Sequence, residues 1–510
     1  MHAAAPEAPR SARPGEPAAD DGVATRARRL EVARALAEHL PGDCLLARDE
    51  ELRPYECDGL AAYRERPLLV ALPRTEAQVR AVVRACRRLG VPVVARGAGT
   101  GLSGGALPHA AGVLLSLARF DRILDVDPVA RTARVQPGVR NLAVSEAAAP
   151  FGLYYAPDPS SQLACTIGGN VAENSGGVHC LKYGLTVHNV LGVRGCTIEG
   201  EVVELGGAAL DGPGLDLLAI TLGSEGLLLI VTEVLLKLVP KPERAQVVMA
   251  SFDDVGRAGD GVAAIIAAGI IPAGLEMMDR QATAAVEPFV RAGYDLSAEA
   301  ILLAESDGTA DEVADEVAAI ESVLRSAGAS AIAVSRSEAE RLRFWSGRKN
   351  AFPAAGRLSP DYYCMDGTIP RRALGDVLRA IGQMERKYDL KCMNVFHAGD
   401  GNLHPLILFD ANREGQWERA ERFGTEILEL CVSLGGTVTG EHGVGVEKLN
   451  PMCVQFSPAE RAAFFAVKEA FDPPGLLNPG KAIPTLARCV EYGRQHVRRG
   501  QLPHPELPRF

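Results

Sequence analysis

A glycine-rich loop that directly follows an apolar run most constrains what this chain can fold into. Residues 91–94 predict a short buried strand, and residues 97–105 after it contain five glycines. Backbone N–H groups of such a loop can converge on an anion, and the missing side chains let a pyrophosphate approach closely. A glycine-rich surface turn is the alternative interpretation. No clear helix follows and the spacing is not G-x-G-x-x-G, so a Rossmann site is disfavoured.

A second stretch, residues 157–177, is rich in glycine, asparagine, serine and proline. It offers hydroxyl and amide groups beside more open backbone. Two separate loops of this kind in one folded unit suit a long dinucleotide better than a single phosphate group. The first half of the chain is therefore predicted to bind a dinucleotide.

The composition narrows the classes of protein to be considered. Hydrophobic residues make up 47% of the 510 residues and charged residues 23%, as in globular proteins, and the length predicts two or three packed units. The net charge of -10 disfavours nucleic acid as a partner. The 11 cysteines form no C-x-x-C pair, which argues for reduced thiols, a cytoplasmic location and no iron–sulfur cluster in the chain. Because no run reaches 18 apolar residues, no membrane span is expected.

The order of patterns along the chain predicts its organisation. Residues 1–25, rich in Ala, Pro and Arg, are expected to form a disordered tail. A boundary is expected near the Pro-Lys-Pro at residues 240–242. Beyond it, strand-like runs at residues 246–252, 300–304, 362–369 and 391–397 alternate with amphipathic helices, which predicts an α+β domain with helices on one side of a sheet. Residues 449–470 are expected to be mostly helical.

Three histidines and two carboxylates lie in two short glycine-rich segments of the second half. An Asp-Gly turn between His397 and His404 would let the chain fold back and bring both imidazoles to one ion. With Glu441 they would offer two nitrogens and one oxygen, a common set for Zn²⁺ or another borderline divalent ion. His442 projects differently from its neighbour and suits a general base. Histidines satisfied within the fold are the alternative.

Together these motifs resemble those of FAD-binding flavoproteins of the vanillyl-alcohol-oxidase type, whose fold is called PCMH-type after p-cresol methylhydroxylase. Within that superfamily the chain is similar to the D-2-hydroxy-acid dehydrogenases, and most of all to the FAD-linked subunits of bacterial glycolate oxidase. The similarity covers nearly all of residues 45–510. The stretches that carry it are residues 96–106, 157–184, 223–226, 345–370, 396–410, 440–445 and 477–481.

The resemblance implies an α+β fold with successive parts. A PCMH-type FAD-binding domain of two α+β subdomains is expected at residues 45–242. A ferredoxin-like α+β substrate or cap domain is expected at residues 243–450. A helical C-terminal segment, residues 451–510, would return to the FAD site.

The resemblance also implies noncovalent FAD, since no histidine lies between Arg96 and Pro108 to tether it. Relatives usually have glycine where this chain has Ile230, which puts the contacts of that segment in question. The cofactor-binding residues that the resemblance implies are Arg96, Gly97, Ala98, Gly99, Thr100, Gly101, Ser103, Gly104, Pro157, Asp158, Ser161, Thr166, Gly168, Gly169, Asn170, Asn174, Gly176, Gly177, Glu225, Gly226, Ile230 and Asn478.

The implied reaction is oxidation of glycolate to glyoxylate, with hydride passing to flavin N5. His397, His404 and Glu441 would hold Zn²⁺, Mn²⁺ or Fe²⁺, and His442 would remove the hydroxyl proton. Arg348 matches the carboxylate-binding arginine of the family. Asn402 could hydrogen-bond substrate or flavin.

The implied partners are a second FAD-binding-type subunit and an iron–sulfur subunit of a glycolate oxidase complex, which would pass electrons to quinone. The chain would then be cytoplasmic, with peripheral association at the inner membrane left open. Three alternatives stay open: the same chemistry on D-lactate or another D-2-hydroxy acid, a metallohydrolase with a structural nucleotide site, and a non-catalytic FAD-binding subunit.

Overall fold

A computed structural model describes residues 21–484 of the chain apart from residues 210, 211 and 213. The first described element is a helix, α1, at Asp21–Ala37. Residues 21–25 are therefore helical rather than part of a disordered tail. The rest of that predicted tail, residues 1–20, lies outside the described residues.

The first sheet places the glycine-rich loop at one of its edges. It contains β1 at Leu45–Leu46, β2 at Leu69–Ala71, β3 at Val93–Arg96 and β4 at Val113–Ser116, in the order β1-β2-β4-β3. Strands β2, β4 and β3 are parallel, and the helices around them are α2 at Asp49–Leu52 and α3 at Glu76–Leu89, with 3₁₀ turns at Gly42–Cys44 and Arg53–Tyr55. The loop leaves the carboxyl end of β3, where a parallel sheet opens to ligands.

A second sheet completes the first unit and is antiparallel. Its order is β5-β6-β10-β8-β9, and a two-stranded pair of β7 and β11 lies beside it. The strands are β5 at Ile123–Asp127, β6 at Thr132–Val135, β7 at Leu153–Tyr154, β8 at Val190–Cys196, β9 at Val202–Gly206, β10 at Ile230–Lys237 and β11 at Val239–Pro240. The helices are α4 at Asn141–Ala148, α5 at Ile167–Glu173, α6 at Cys180–Tyr183, α7 at Thr186–Asn189 and α8 at Leu217–Thr221, with a 3₁₀ turn at Ala149–Phe151.

The second unit is built on one antiparallel sheet of seven strands in the order β15-β12-β14-β13-β17-β18-β16. The strands are β12 at Arg244–Phe252, β13 at Gly274–Asp279, β14 at Ala300–Gly308, β15 at Ala331–Val334, β16 at Asp361–Cys364, β17 at Lys391–His397 and β18 at Asn402–Phe409. The helices are α9 at Val255–Ala267, α10 at Arg280–Val290, α11 at Ala310–Ser326, α12 at Glu338–Lys349, α13 at Ala351–Ala355, α14 at Leu374–Tyr388 and α15 at Gln416–Ser433, with a 3₁₀ turn at Arg371–Ala373.

Helices cover both faces of this sheet, so the prediction of helices on one side is wrong. One apolar cluster joins Leu302 of β14 to Val262 of α9, on one face. Another joins Leu303, the next residue along the strand, to Trp345 of α12 on the opposite face. Successive residues of a strand point to opposite faces, and the central strands are buried throughout, so neither face is left to solvent. The α+β class itself is confirmed.

The C-terminal segment forms two helices and then returns to the first sheet. They are α16 at Leu449–Gln455 and α17 at Pro458–Phe471, so the predicted helical run breaks at residues 456–457, where Ser457 caps α17. After α17, Val93 N donates to Leu476 O at 2.8 Å and Asn478 N donates to Val93 O at 2.8 Å. Leu477 between them is fully buried in the core of the first unit. None of the helices in the described part of the chain combines the length and apolarity of a membrane span.

Candidate active site

One cavity of about 410 Å³ is lined by residues of both units. The loop after β3 and the start of α5 form one wall, while His404, Glu441 and His442 lie at another. The predicted cofactor residues that line it are Arg96, Gly97, Ala98, Gly99, Thr100, Gly101, Ser161, Thr166, Gly168, Gly169, Asn170, Glu225 and Gly226. The predicted dinucleotide loops and the predicted metal cluster thus open onto the same space.

The wall formed by the loop after β3 and the start of α5, called the cofactor wall, lets a polar group approach the backbone closely. A Cβ on Gly97 would overlap Thr166 Oγ1, and a Cβ on Gly168 would lie 2.5 Å from Pro137 Cβ. Thr166 Oγ1 and Asn170 Nδ2 are buried and have no hydrogen-bond partner among the described residues. Buried polar atoms are normally satisfied, so these two suit a bound molecule with polar atoms of its own. The wall therefore fits a dinucleotide such as FAD.

Nine predicted cofactor residues do not line the cavity and instead hold the surrounding loops. They are Ser103, Gly104, Pro157, Asp158, Asn174, Gly176, Gly177, Ile230 and Asn478. Ser103 Oγ donates to His442 O at 2.9 Å, and Asn174 Oδ1 accepts from Val187 N at 2.8 Å. A side chain at Gly104 would lie against Val446.

The remaining members of this group act in the same way. Asp158 Oδ2 lies 2.8 Å from His179 Nδ1, and Pro157 O accepts from the Asn141 side chain at 3.0 Å. Ile230 is buried in the apolar core. Close packing requires the last two glycines, because a Cβ on Gly176 would overlap the Glu441 carboxylate and one on Gly177 would lie 2.6 Å from the Asp158 backbone. Asn478 Nδ2 donates to Gly105 O at 3.0 Å and to Glu225 O at 2.5 Å.

Strand pairing places His397 and His404 on one face of the second sheet. The Asp-Gly turn joins β17 to β18, and Gly401 adopts a φ of +82°, which favours glycine. His397 pairs with Asn402, and Val395 pairs with His404. Directly paired residues share a face, as do residues two apart along a strand, so both imidazoles point the same way. Their ring centres are 4.9 Å apart, and the predicted fold-back of the chain is present.

A carboxylate on the neighbouring strand fixes the orientation of His397. The register of β13 against β17 places Glu276 opposite His397, and His397 Nδ1 lies 2.6 Å from Glu276 Oε1. Both side chains are almost completely buried. A carboxylate bonded to one ring nitrogen directs the other nitrogen at a ligand, as it does for histidines that bind metals. Nothing in the local sequence marks Glu276, since only sheet pairing brings it to His397.

The imidazoles converge on one oxygen of Glu441. His404 Nε2 lies 2.9 Å from Glu441 Oε1, His397 Nε2 lies 3.2 Å from it, and His442 Nε2 lies 3.9 Å from it. Burial alone would raise the pKa of Glu441, but the facing imidazoles of His397 and His404 hold it well below its usual value. Burial would likewise lower the pKa of His397, while Glu276 and Glu441 raise it well above the usual value. Nitrogen and oxygen acceptors this close require a shared proton or cation, so the set fits a divalent ion.

A second grouping of donor atoms overlaps the predicted metal set. Asp366, His404, Glu441 and His442 each offer one ligand atom, and these atoms lie within 4.8 Å of one another. Asp366, however, already accepts hydrogen bonds from the backbone N–H groups of residues 440–442. Beside His404 and Glu441, His397 suits the place of a third ligand better than Asp366 does. Its Nε2 is directed at Glu441, whereas the Asp366 oxygens already accept backbone hydrogen bonds.

His442 stacks on His404 with ring centres 4.9 Å apart and an angle of 7° between the planes. Its Nδ1 is buried without a hydrogen-bond partner among the described residues, and the side chain lines the cavity. Burial lowers the pKa of His442 to about 4, and the Asp366 carboxylate offsets this only in part. The imidazole is therefore neutral near pH 7, and its Nδ1 makes no hydrogen bond with the described residues.

The loop that carries Glu441 and His442 is held by hydrogen bonds to Asp366, a residue that no sequence pattern predicted to belong to the site. Asp366 is fully buried, and besides the three backbone N–H groups it lies 3.2 Å from Lys448 Nζ. Burial would raise the pKa of Asp366, but His442 and Lys448 hold it well below its usual value. An Asp-Gly pair just after a strand signals a turn, yet the sequence does not show which loop this carboxylate holds.

Glu225 of the first unit also holds this loop, through two hydrogen bonds from the backbone of the loop. Glu225 Oε1 accepts from Val444 N at 2.7 Å, and Oε2 accepts from Gly445 N at 2.8 Å. Beside it, the half-buried Glu173 lines the cavity, and its Oε2 is buried without a partner among the described residues. Burial and the charge of Glu225 raise the pKa of Glu173 well above its usual value. The predicted cofactor residue Glu225 therefore also anchors the loop of residues 440–445, which carries Glu441 and His442 and is called the catalytic loop.

Arg348 and Asn402, the other predicted catalytic residues, lie behind the cavity wall. Arg348 is buried, its Nε donates to Glu276 Oε2 at 2.6 Å, and its Nη2 lies 3.4 Å from His397 Nε2. It is not among the residues that line the cavity, whereas its neighbour Lys349 is. Asn402 packs against Gly440, and its Oδ1 is buried without a partner among the described residues.

Comparisons with known proteins agree with this arrangement. Residues 67–206 match the family model of an FAD binding domain, and residues 241–482 match that of the C-terminal domain of FAD linked oxidases. The glycolate oxidase subunit GlcD of Escherichia coli K12 is 62% identical over 490 residues, which cover 96% of this chain and 98% of that protein. This chain belongs to the family of GlcD glycolate oxidase subunits. It is an FAD-linked oxidoreductase, and the resemblance drawn from its motifs is confirmed.

One further relative and one solved structure are also similar to this chain. The D-lactate dehydrogenase of Anaerostipes hadrus is 31% identical over 450 residues, covering 86% of this chain and 94% of that protein. The structure of p-cresol methylhydroxylase with substrate bound has a TM-score of 0.77 at 18% identity and covers 91% of this chain and 98% of that one. The second likeness shows the fold alone, and it confirms the PCMH-type architecture.

Gly97→Ala should weaken FAD binding. The added Cβ would overlap Thr166 Oγ1, so the Thr166 side chain must move from its place on the cofactor wall. Overpacking of this kind costs about 1–3 kcal/mol, which corresponds to roughly a 5- to 150-fold loss of affinity. Titration of the apoprotein with FAD, followed by flavin absorbance, measures the effect. Gly42→Ala is the matched control, since a Cβ there meets nothing within 4 Å; equal affinities of the two variants would contradict the role of Gly97.

Proposed function

We propose that this chain oxidises glycolate to glyoxylate with noncovalently bound FAD. The observation that carries the proposal is that the His397, His404, Glu441 and His442 cluster opens onto the same cavity as the cofactor wall. The identity to a glycolate oxidase subunit supports glycolate as the substrate. FAD, when bound, supplies the acceptor for the hydride from the substrate α carbon.

His442 is the proposed general base. Its neutral ring lines the cavity, and Nδ1, which is buried without a hydrogen-bond partner among the described residues, is the proposed acceptor of the hydroxyl proton. The stack on His404 and the bond from Ser103 Oγ to its backbone oxygen fix the position of the ring. Asn402 is proposed to hydrogen-bond substrate or flavin through its unpartnered side-chain oxygen or its amide nitrogen. Arg348 remains the proposed carboxylate-binding arginine, with its Nε held by Glu276 Oε2 at 2.6 Å and its Nη2 3.4 Å from His397 Nε2.

His397, His404 and Glu441 are the proposed ligands of a divalent ion such as Zn²⁺, Mn²⁺ or Fe²⁺. Such an ion, when held there, would polarise the substrate hydroxyl and lower its pKa. The two histidines and the carboxylate form a set of the borderline kind that these ions accept. Glu276 would bond Nδ1 of His397 and so leave Nε2, which lies 3.2 Å from Glu441 Oε1, as the ring atom directed toward the ion.

Partners are proposed to take the electrons onward. The described cysteines are all free thiols, and no cluster of possible metal ligands in the described part of the chain contains two or more cysteines, as an iron–sulfur site would need. The proposed partners are a second FAD-binding-type subunit and an iron–sulfur subunit that deliver electrons to quinone, with the complex at the cytoplasmic face of the inner membrane. If the purified chain alone reduced quinone at the full rate, it would need no partner.

The alternatives carry less support. D-lactate remains the second candidate substrate, because a D-lactate dehydrogenase shares the family. Phe352 lines the cavity, and its ring centre lies 6.5 Å from that of His404. Its ring narrows the cavity beside His404 and His442, which favours glycolate over the larger D-lactate. The match to an FAD-linked oxidase disfavours the metallohydrolase hypothesis.

Glycolate should bleach the bound flavin faster than any larger acid. We expect anaerobic mixing with glycolate to remove the flavin absorbance, with D-lactate slower because its methyl group must pack near Phe352. L-lactate and D-2-hydroxyglutarate complete the panel and should react slowest. The rate constant for bleaching at saturating acid ranks the substrates. A faster reaction with D-lactate would identify D-lactate as the substrate instead of glycolate. If none of the acids bleached the flavin, the proposed function would be wrong.

His442→Ala should slow flavin reduction and leave FAD bound. Loss of a general base typically costs about 10²- to 10⁴-fold in rate. Stopped-flow absorbance gives the reduction rate, and the flavin spectrum of the same sample gives the FAD content. His39→Ala is the control, because His39 is exposed and remote from the cavity wall. An undiminished reduction rate in His442→Ala would remove the residue from the mechanism.

Removal of the ion should slow the same step. We expect dialysis against a chelator to lower the rate of flavin reduction, and added Zn²⁺, Mn²⁺ or Fe²⁺ to restore it. His404→Ala should lower the metal content measured by mass spectrometry, since it removes a ligand atom next to Glu441. The His39→Ala variant should retain the metal. Full activity in a sample shown to be metal-free would rule out the ion.

A further inference from the structure

The two units also meet outside the cavity lining, at the imidazole of His179. Its Nδ1 lies 2.8 Å from Asp158 Oδ2 of the first unit, and its Nε2 lies 3.2 Å from Glu305 Oε1 of the second unit. Val178, the residue before it, is buried in an apolar cluster of the second unit. His179 is not among the residues that line the cavity, so the proposed reaction gives it no part. One ring nitrogen is nevertheless bonded to each unit.

The two carboxylates keep this imidazole charged. Burial would lower the pKa of His179, but Asp158 and Glu305 raise it well above its usual value. Burial would likewise raise the pKa of Glu305, but His179 and Arg341 lower it to about 2. A charged imidazole donates from both of its nitrogens, so near neutral pH His179 bridges the two carboxylates.

Glu305 extends this bridge to helix α12. Trp345 Nε1 donates to Glu305 Oε2, and Arg341 Nη1 donates to the same oxygen at 2.8 Å. Both donors belong to α12, and the Trp345 side chain is almost completely buried. Arg348, the proposed carboxylate-binding arginine, lies three residues after Trp345, which is nearly one helical turn. The contacts of Glu305 therefore help to set the position of Arg348.

On the other side of the bridge, Asp158 belongs to a loop that borders the cavity. The three residues after it, 159–161, line the cavity. Asp158 Oδ1 also accepts from His179 N at 3.2 Å, so the carboxylate is bonded to both the backbone and the ring of the same residue. A molecule that binds in the cavity contacts residues 159–161 and thereby fixes the position of Asp158 next to them.

We infer that His179 is a positioning residue that couples the loop of residues 157–162 to α12, so that FAD binding fixes the helix that carries Arg348. The imidazole transmits the position of Asp158 to Glu305, and Glu305 transmits it to the helix. Two sites that bias one contiguous set of bonds stabilise each other. The arginine is thus brought into place in protein that already holds the hydride acceptor. The inference concerns FAD and α12, so it goes beyond the proposed function.

The test measures hydrogen exchange of the full chain without FAD and with saturating FAD. We expect FAD to slow amide exchange in α12 of the parent protein about 5- to 150-fold, the usual range for coupled sites. In His179→Gln the bridging charge is lost, so FAD should still slow exchange in the loop of residues 157–162 but no longer in α12. Mass spectrometry of peptides covering Glu338–Lys349 gives the rates. Peptides of α9, on the opposite face of the sheet, serve as the internal reference.

A second variant and a matched control locate the effect. Asp158→Asn removes the charge on the cofactor side and leaves the contacts of Glu305 with α12 in place. It should also abolish the response of α12, and it carries the test if His179→Gln does not fold. Lys182→Met is the control, because Lys182 joins the same two units through Asp307, whose backbone oxygen accepts from Lys182 Nζ at 2.7 Å. In that control α12 should respond to FAD as in the parent protein.

The inference is wrong if FAD leaves α12 exchange unchanged in the parent, or slows it equally in the parent and in His179→Gln. It is also wrong if His179→Gln speeds α12 exchange by the same factor with and without FAD, since the imidazole would then only support the helix. A complete loss of the response in Lys182→Met would assign the coupling to the contact between the units in general. Glycolate takes no part in these measurements, so a failure of the flavin-bleaching experiment would overturn the proposed function and leave the role of His179 standing.

Discussion

The buried carboxylate of Asp366 is the interaction on which the catalytic loop depends. It accepts from three successive backbone N–H groups, at residues 440–442, and lies 3.2 Å from Lys448 Nζ. A buried charge left without these partners would cost several kcal/mol, so the loop and the carboxylate stabilise each other. The loop in turn presents Glu441 and His442 toward the cavity. The position of the proposed base, His442, follows from that backbone geometry.

The catalytic loop is also held by the first unit, and this joins cofactor and substrate chemistry. Glu225 accepts from Val444 N and Gly445 N, and Ser103 donates to His442 O. Both residues belong to loops next to the cofactor wall. A displacement of that wall would therefore move the proposed base directly. The arrangement explains why several residues predicted to touch FAD instead hold loops behind the wall, for the loops must be rigid for the cavity to keep its shape.

Local patterns along the sequence predicted the fold well, but they did not predict which residues far apart in the chain come into contact. The β17–β18 hairpin and its two histidines follow from an Asp-Gly turn between apolar runs. Glu276 is brought to His397 only by the pairing of strands that are more than a hundred residues apart in the chain. The helices on the second face of the sheet were missed because continuously apolar strands do not show which side is covered.

The return of the C-terminal segment to β3 has a consequence for how the protein is made. Leu477 completes the apolar core of the first unit, and Asn478 bonds the backbone at Gly105 and Glu225. A ribosome releases these residues only after both units have emerged. The nascent first unit therefore lacks the segment that closes its core, and FAD loading is expected to be efficient only late in synthesis. Quality control in the cell could thus recognise a truncated chain by its failure to retain the flavin.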